Sequence, residues 1–410
     1  MNASSIFFLQ AVLVVALPYL FWRLAGLRAV LPLVVVQILA GVMLGPSVFG
    51  LYAPQAWTAV FGPERLPMLS GLQWLAVVIF CFLTGLHLRE QETHDGWRAT
   101  IGVSAGSIAV PFAFGAAAGW WMVEMQWSVS GEQATRYWFA YAMGVCSAVT
   151  ALPVLGAVLR EMGLTGTRLG QMALRCAAVN DAWIWLFLTV ILARHGHQDG
   201  PGLLAFAAMA AAYLAFFVLI VRPALAWLLN RHILETELQL AIALFVVLVS
   251  ACLAELAGLH HVMGGFIAGM VWPRQHAQRI RQQLEPLTVV VLLPFFFLAA
   301  GLRSQIAFAD HEILLVFGVS TVIAVIGKLI GVAVPSRLSG VGWRESLKLG
   351  ALLQTKGLVE VVVLTVLLDA RIISNTAFSG LLLMAIATTV LARPLTMLFE
   401  RLGTVRRRRL

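Results

Sequence analysis

SAVTALP, Ser147 to Pro153, interrupts an apolar run that is otherwise long enough to cross a membrane. Pro153 removes a backbone donor and crowds the preceding turn, so a helix does not pass through it intact. Thr150 supplies a hydroxyl that can cover the freed groups or offer an oxygen ligand. Much later in the chain, QTKGLVE, Gln354 to Glu360, interrupts a second run: Gly357 beside Thr355 permits unwinding, and Lys356 and Glu360 stand one turn apart. Two broken helices that cross would point half-helix ends at each other, and local charges would offset those dipole ends. The plainer alternative is a proline kink and a surface-type i,i+4 ion pair.

The surroundings of these breaks are lipid. The chain of 410 residues is 60% hydrophobic and 11% charged, whereas soluble domains carry about 25% charged residues. Apolar runs recur from end to end, each able to span a hydrocarbon core of about 30 Å. The net charge of +9 is spread over many short loops, which excludes a nucleic-acid-binding face. Cys81, Cys146, Cys176 and Cys252 lie singly inside apolar runs, so neither disulfides nor a cysteine metal site is implied. The first run begins near Ile6 without a basic leader, which predicts a retained first helix.

Breaks at charged, Gly/Pro and His clusters predict an all-α polytopic membrane protein with thirteen spans, near 6–22, 29–50, 70–88, 99–123, 136–159, 168–193, 203–221, 238–257, 260–273, 285–302, 312–335, 345–368 and 375–399. Loops after odd-numbered spans hold Arg23, Arg28, Arg89, Arg98, Arg160, Arg168, Arg222, Arg231, Arg274, Arg279, Arg281, Arg337, Arg344 and Lys348. Loops after even-numbered spans hold Arg65, Arg136, Arg194, Arg303 and Arg371. The positive-inside rule then puts the N-terminus outside and the C-terminus in the cytoplasm.

FLTGL (Phe82–Leu86) in span 3 and FLAAGL (Phe297–Leu302) in span 10 match at an offset of seven spans, as do GVMLGP (Gly41–Pro46) in span 2 and GFIAGMVWP (Gly265–Pro273) in span 9. Because seven is odd, the second set starts on the opposite side, as an inverted repeat requires. The expected organisation is a first repeat over 1–200, a linker span over 201–237, an inverted second repeat over 238–400 and a short basic tail over 401–410.

Charges inside spans are few, and each costs at least about 2.5–3.5 kcal/mol at the bilayer centre. They are Asp181, Glu255 and Glu360 among acids and Arg175, Lys328, Lys356 and Arg393 among bases. A desolvated lysine can lose its proton where arginine cannot. Asp181, midway along span 6 after Asn180, can hold either a small hard cation or a proton. Asn180 adds a neutral ligand or a hydrogen bond. The structural alternative is a buried pair of Asp181 with Arg175 or Lys328. GVSAG (Gly102–Gly106) fits a nucleophile-elbow pattern but lies in a small-residue stretch suited to helix packing. His94, His195, His197, His232, His276 and His311 have no metal-ligand spacing. His260 and His261 begin a helix, where capping, an interface or pH sensing are all open, and Glu255 lies close enough to a span end to reach water.

These residues resemble the cation/proton antiporter superfamily, in its second branch, closest to the Kef-like and plant cation/H⁺ exchanger type. The resemblance runs over essentially the whole chain, through LPLVVVQILAGVMLGPSVFG, CSAVTALPVLGAVLREMGL, AAVNDAWIW, GLHHVMGGFIAG, LLPFFFLAAGLRS and QTKGLVEVVVL. It implies the Na⁺/H⁺ antiporter fold, with an inverted six-helix repeat and crossed broken helices. Asp181 is then the cation and proton site, with Asn180, Thr150 and Ser147 about it, Lys328 beside it, and Thr355, Lys356 and Glu360 matching the family's TKGxxE segment. The broken-helix residues are Pro153, Thr355 and Gly357. It further implies transport of Na⁺ or K⁺ against H⁺, electroneutral because Asn180 stands where electrogenic relatives have a second acid, and a homodimer in which a core bundle of spans 3–6 and 10–13 moves against spans 1–2 and 8–9. No cofactor, no nucleic acid and no enzymatic activity are expected. The short tail leads us to expect no soluble regulatory domain, and the absence of a targeting segment a bacterial plasma membrane. A sodium-coupled organic-solute symporter and a gated cation channel remain open alternatives.

Overall fold

The computed structural model describes residues 3–26, 33–62, 64–65, 67–90, 97–195, 203–231, 235–303 and 310–407. Arg28, His94, His197 and His232, singled out above, and residues 408–410 of the basic tail lie outside the described residues. The described chain is helical: α1 Ser4–Leu24, α2 Leu33–Tyr52, α3 Pro54–Phe61, α4 Pro67–Glu90, α5 Trp97–Glu124, α6 Arg136–Ala148, α7 Leu152–Glu161, α8 Arg168–His195, α9 Ala208–Asn230, α10 Thr236–Leu256, α11 His261–Val271, α12 Arg274–Leu302, α13 His311–Leu338, α14 Trp343–Leu352, α15 Gly357–Asp369 and α16 Asn375–Arg407. Among the described residues, 10 helices are long and apolar enough to cross a membrane, and α11 is a shorter apolar helix. Predicted span 5 is α6 and α7, and predicted span 12 is α14 and α15, each broken where the sequence placed Pro153 or Gly357.

Several helices run beyond their predicted ends. Arg222, predicted in a loop, starts a helical segment Arg222–Arg231, and Arg274, Arg279 and Arg281 lie in the helical segment Arg274–Leu287. Lys348, also predicted in a loop, is buried in α14, where its ammonium lies 3.3 Å from Glu345 and 3.7 Å from Glu400. The reason is physical: an apolar window marks only the immersed part of a helix, while Arg and Lys are good helix formers. Arg222, Arg274 and Arg279 are exposed, with the charge free to reach water, and Lys348 is held by its two carboxylates.

The chain forms two compact units. One comprises Met1–Val15, Val60–Glu92 and Trp185–Phe296, and the other Ala16–Ala59, Thr93–Ile184 and Phe297–Leu410. In each, one glycine-based crossing brings two helix backbones together. In the first, a Cβ on Gly85 of α4 would overlap the backbone of Gly269 and Phe266 on α11, and one on Gly265 would overlap Val78. In the second, a Cβ on Gly45 of α2 would come within 2.7 Å of the Gly301 carbonyl oxygen on α12, and one on Gly301 would overlap Gly41. Small residues are how helices approach in lipid, where no hydrophobic effect draws them together. The GVSAG stretch acts the same way: Gly106 of α5 and Gly331 of α13 meet backbone to backbone. This second unit holds every residue of the candidate site.

Candidate functional site

The two breaks lie against one another. Val149 and Ala151 are extended, and Pro153 sits in the first turn of α7, where the missing N–H is one that no intrahelical acceptor would have used. The Ala151 amide donates to the Thr355 carbonyl at 2.7 Å, and the Thr150 hydroxyl donates to the Leu353 carbonyl at 2.8 Å. At the second break the Thr355 hydroxyl covers the Leu352 carbonyl at 3.1 Å. Gly357 takes a φ of +50°, a left-handed conformation that glycine adopts without strain. The amides of Lys356 and Gly357, which open α15, both donate to the Thr389 hydroxyl of α16 at 3.2 Å.

A helix that ends in the interior leaves carbonyls that water cannot reach. At the end of α6 two lysines take them. Lys356 Nζ donates to the carbonyls of Cys146 at 2.5 Å, Ser147 at 3.1 Å and Val149 at 3.4 Å. Lys328 Nζ, from α13, donates to the Ala148 carbonyl at 2.7 Å, the Ser107 carbonyl at 2.9 Å and the Thr150 hydroxyl at 2.7 Å. Each ammonium thus caps the negative end of the half-helix dipole, and the three donors of Lys328 match three acceptors. Both lysines are fully buried, as is Glu360, whose carboxylate lies 3.6 Å from Lys356 Nζ.

Asn180 and Asp181 occupy the middle of α8, both buried. Asn180 belongs to the frame: its Nδ2 donates to Ser107 Oγ at 2.8 Å and to Thr150 Oγ1 at 3.3 Å. It makes no hydrogen bond to Asp181 among the described residues. Asp181 is 1% exposed, and among the described residues no side chain donates to its carboxylate; the backbone donor beside it is the Leu152 amide. The positive groups in its surroundings are the Leu152 amide, at the N-terminus of α7, and the Lys328 ammonium. No ion pair within 4.0 Å joins it to Lys328, and Arg175 donates instead to the Gln171 carbonyl of its own helix. Ser147 Oγ is likewise buried and without a hydrogen bond. A buried acid that no side chain bonds, beside a helix N-terminus, is chemically suited to exchanging one small positive ligand for another.

All the residues singled out for the site fall in this one unit, in two groups: Asn180, Thr150 and Lys328 share hydrogen bonds, while Lys356 pairs with Glu360. Sequence reading missed Ser107 and Thr389 and gave no role to Gln354, which is buried with both amide atoms unbonded. A lone hydroxyl in an apolar run carries no periodic signal, though Ser107 directly follows the GVSAG stretch and Thr389 is one of two adjacent threonines. Glu255, read as reaching water, is half-exposed, with its carboxylate bonded to His261.

The chain belongs to the family described as "Sodium/hydrogen exchanger, transmembrane", which it matches over residues 11–398. It is 32% identical over 387 residues to the Na(+)/H(+) antiporter NhaS4 of Synechocystis sp., covering 91% of this chain and 93% of that protein. It is 29% identical to Cation/H(+) antiporter 20 of Arabidopsis thaliana and 30% identical to K(+)/H(+) antiporter 1 of Saccharomyces cerevisiae, over 89% and 90% of this chain but 45% and 43% of theirs. The chain therefore spans about half the length of the plant and yeast relatives it matches. In fold it is similar to the sodium proton antiporter MjNhaP1 from Methanocaldococcus jannaschii, with a TM-score of 0.67 at 14% identity, covering 97% of this chain and 100% of that one.

Proposed function

We propose that the chain exchanges Na⁺ or K⁺ for H⁺, one for one, by alternating access, with Asp181 taking the cation and the proton in turn. The observation that carries this is the buried Asp181 carboxylate, to which no side chain of the described residues donates and which has the Leu152 amide at the N-terminus of α7 beside it. Relatives named as Na(+)/H(+) and K(+)/H(+) antiporters support the two candidate ions. Electroneutrality follows from charge counting. With Lys356 and Glu360 paired, one carboxylate remains to be neutralised, so the cation-loaded and proton-loaded forms carry the same formal charge across the barrier. An empty Asp181 carboxylate is a bare buried charge offset through the field of Lys328, so it is filled by a cation or a proton before crossing, which couples the two movements. Lys328 compensates through its field while capping α6.

The fold proposed for this cycle has thirteen spans and an inverted repeat: α11 and the two broken helices, counted with the 10 long ones, give thirteen. The glycine crossings support the repeat. GVMLGP on α2 packs on the FLAAGL glycine of α12, and its counterpart GFIAGMVWP on α11 packs on the FLTGL glycine of α4. Exchanging the repeats turns one crossing into the other. The remaining parts of the proposal are a homodimer with its N-terminus outside and C-terminus in the cytoplasm of a bacterial plasma membrane. Proton flux into proteoliposomes, driven by Na⁺ or K⁺ gradients at clamped voltage, tests the function: Asp181→Asn abolishes it and wild-type flux is voltage-independent. Normal exchange by Asp181→Asn, or uptake of an organic solute without proton movement, rejects the reading.

A further inference from the structure

The corner between α10 and α11 brings together Glu255, His260 and His261, with one donor atom from each, a carboxylate oxygen and two imidazole nitrogens, within 4.8 Å of one another. Glu255 lies in the last turn of α10, and Gly258, at φ +74°, turns the chain back so that His260 caps α11. Glu255 Oε1 accepts from the His261 amide at 2.9 Å and lies 2.6 Å from His261 Nδ1. The two imidazole rings are 4.0 Å apart and tilted by 36°. All three residues belong to the unit that does not contain Asp181.

We propose that this corner binds one divalent transition-metal ion of the Zn²⁺ class through the Glu255 carboxylate and the His260 and His261 imidazoles. Two imidazoles and one carboxylate form a donor set that holds zinc with a fourth position open. Nitrogen donors favour Zn²⁺, Ni²⁺ or Cu²⁺ over ions that prefer oxygen ligands, so the site discriminates against the transported alkali cations and against Mg²⁺ and Ca²⁺. His261 Nδ1 and the Glu255 carboxylate oxygen, 2.6 Å apart, are joined by one hydrogen bond. A metal ion on His261 Nδ1 takes the place of the proton there, which shifts to Nε2 of a neutral ring or leaves an imidazolium for solvent, and links the end of α10 to the start of α11. Glu255 is half-exposed, and with His261 it lies at the edge of a groove of about 650 Å³ lined by Trp74, Leu248 and Cys252. The spacing E-x4-HH was present in the sequence but matches no familiar zinc signature.

The test uses the full chain, purified with any polyhistidine tag removed, in a Cys252→Ser background so that the thiol on the same groove is not the ligand. Co²⁺ supplies a visible absorption band, and Zn²⁺ binding is measured by competition with a chromophoric chelator. The proposal predicts one Zn²⁺ per chain displaced only by chelator, insensitive to Na⁺ or K⁺, and weakened at least tenfold by His261→Gln, His260→Gln and Glu255→Gln separately. Zn²⁺ also raises the Tm of the parent chain but not of the variants. Parent and variant affinities that agree, or a parent that binds no Co²⁺ or Zn²⁺, overturn it and leave the corner a hydrogen-bonded cap. Because the Glu255 variant also loses a cap bond, the histidine variants decide if it does not fold.

Discussion

Thr150→Val is the sharpest perturbation of the frame around Asp181, because valine keeps the shape and removes only the hydroxyl. That oxygen donates to the Leu353 carbonyl at 2.8 Å and accepts from Lys328 at 2.7 Å and Asn180 at 3.3 Å. After substitution Lys328 keeps two of its three acceptors, and Asn180 keeps Ser107. Side-chain hydrogen bonds inside membrane proteins average about 0.6 kcal/mol and reach about 1.7. One of these three is charge-assisted and worth about 1.5–3 kcal/mol. The expected loss is therefore about 2–4 kcal/mol. Thr150→Ser keeps all three bonds and loses one methyl, about 0.8 kcal/mol. Equilibrium unfolding in detergent, followed by tryptophan fluorescence, measures both. Equal stability of the Val and Ser variants would refute the claim that this hydroxyl joins the two breaks.

Three further outcomes follow from the same geometry. Gly301→Ala and Gly85→Ala each lower the Tm, since a Cβ overlaps a facing backbone, while Gly71→Ala and Gly318→Ala, in open space within helices, leave stability unchanged or raise it by up to about 1 kcal/mol; equal effects at all four positions contradict the packing. Lys356→Met leaves Glu360 buried without its partner and lowers stability by about 3–5 kcal/mol, and Lys356→Met/Glu360→Met recovers part of that in the same unfolding assay. Asp181→Asn leaves the Tm unchanged or raises it, because it removes a buried charge to which no side chain donates and keeps an oxygen that can accept from the Leu152 amide; a large fall would show that the charge itself is held by the frame.

What was legible in the sequence was what local backbone chemistry dictates. Pro153 and Gly357 announce the two breaks because their effects need no distant partner. Asp181 stands out because charge in lipid is expensive wherever it occurs. The partners were not legible: Ser107 and Asn180 lie 73 residues apart, and Lys328 and Thr150 lie 178 apart. The expectation that Asn180 assists the carboxylate directly followed from adjacency in sequence, yet successive residues on a helix point in different directions. The grouping of helices was equally hidden. The resemblance put span 3 with spans 4–6, whereas α4 falls in the unit containing α9, α10 and α11.

The central claim is that one carboxylate surrenders a proton as it takes a cation. Isothermal titration of the purified chain with NaCl or KCl, in buffers of differing ionisation enthalpy, measures that step without transport. The account predicts about one proton released per cation bound by the wild type and none by Asp181→Asn. Cation binding without proton release, or the same release from Asp181→Asn, would contradict it.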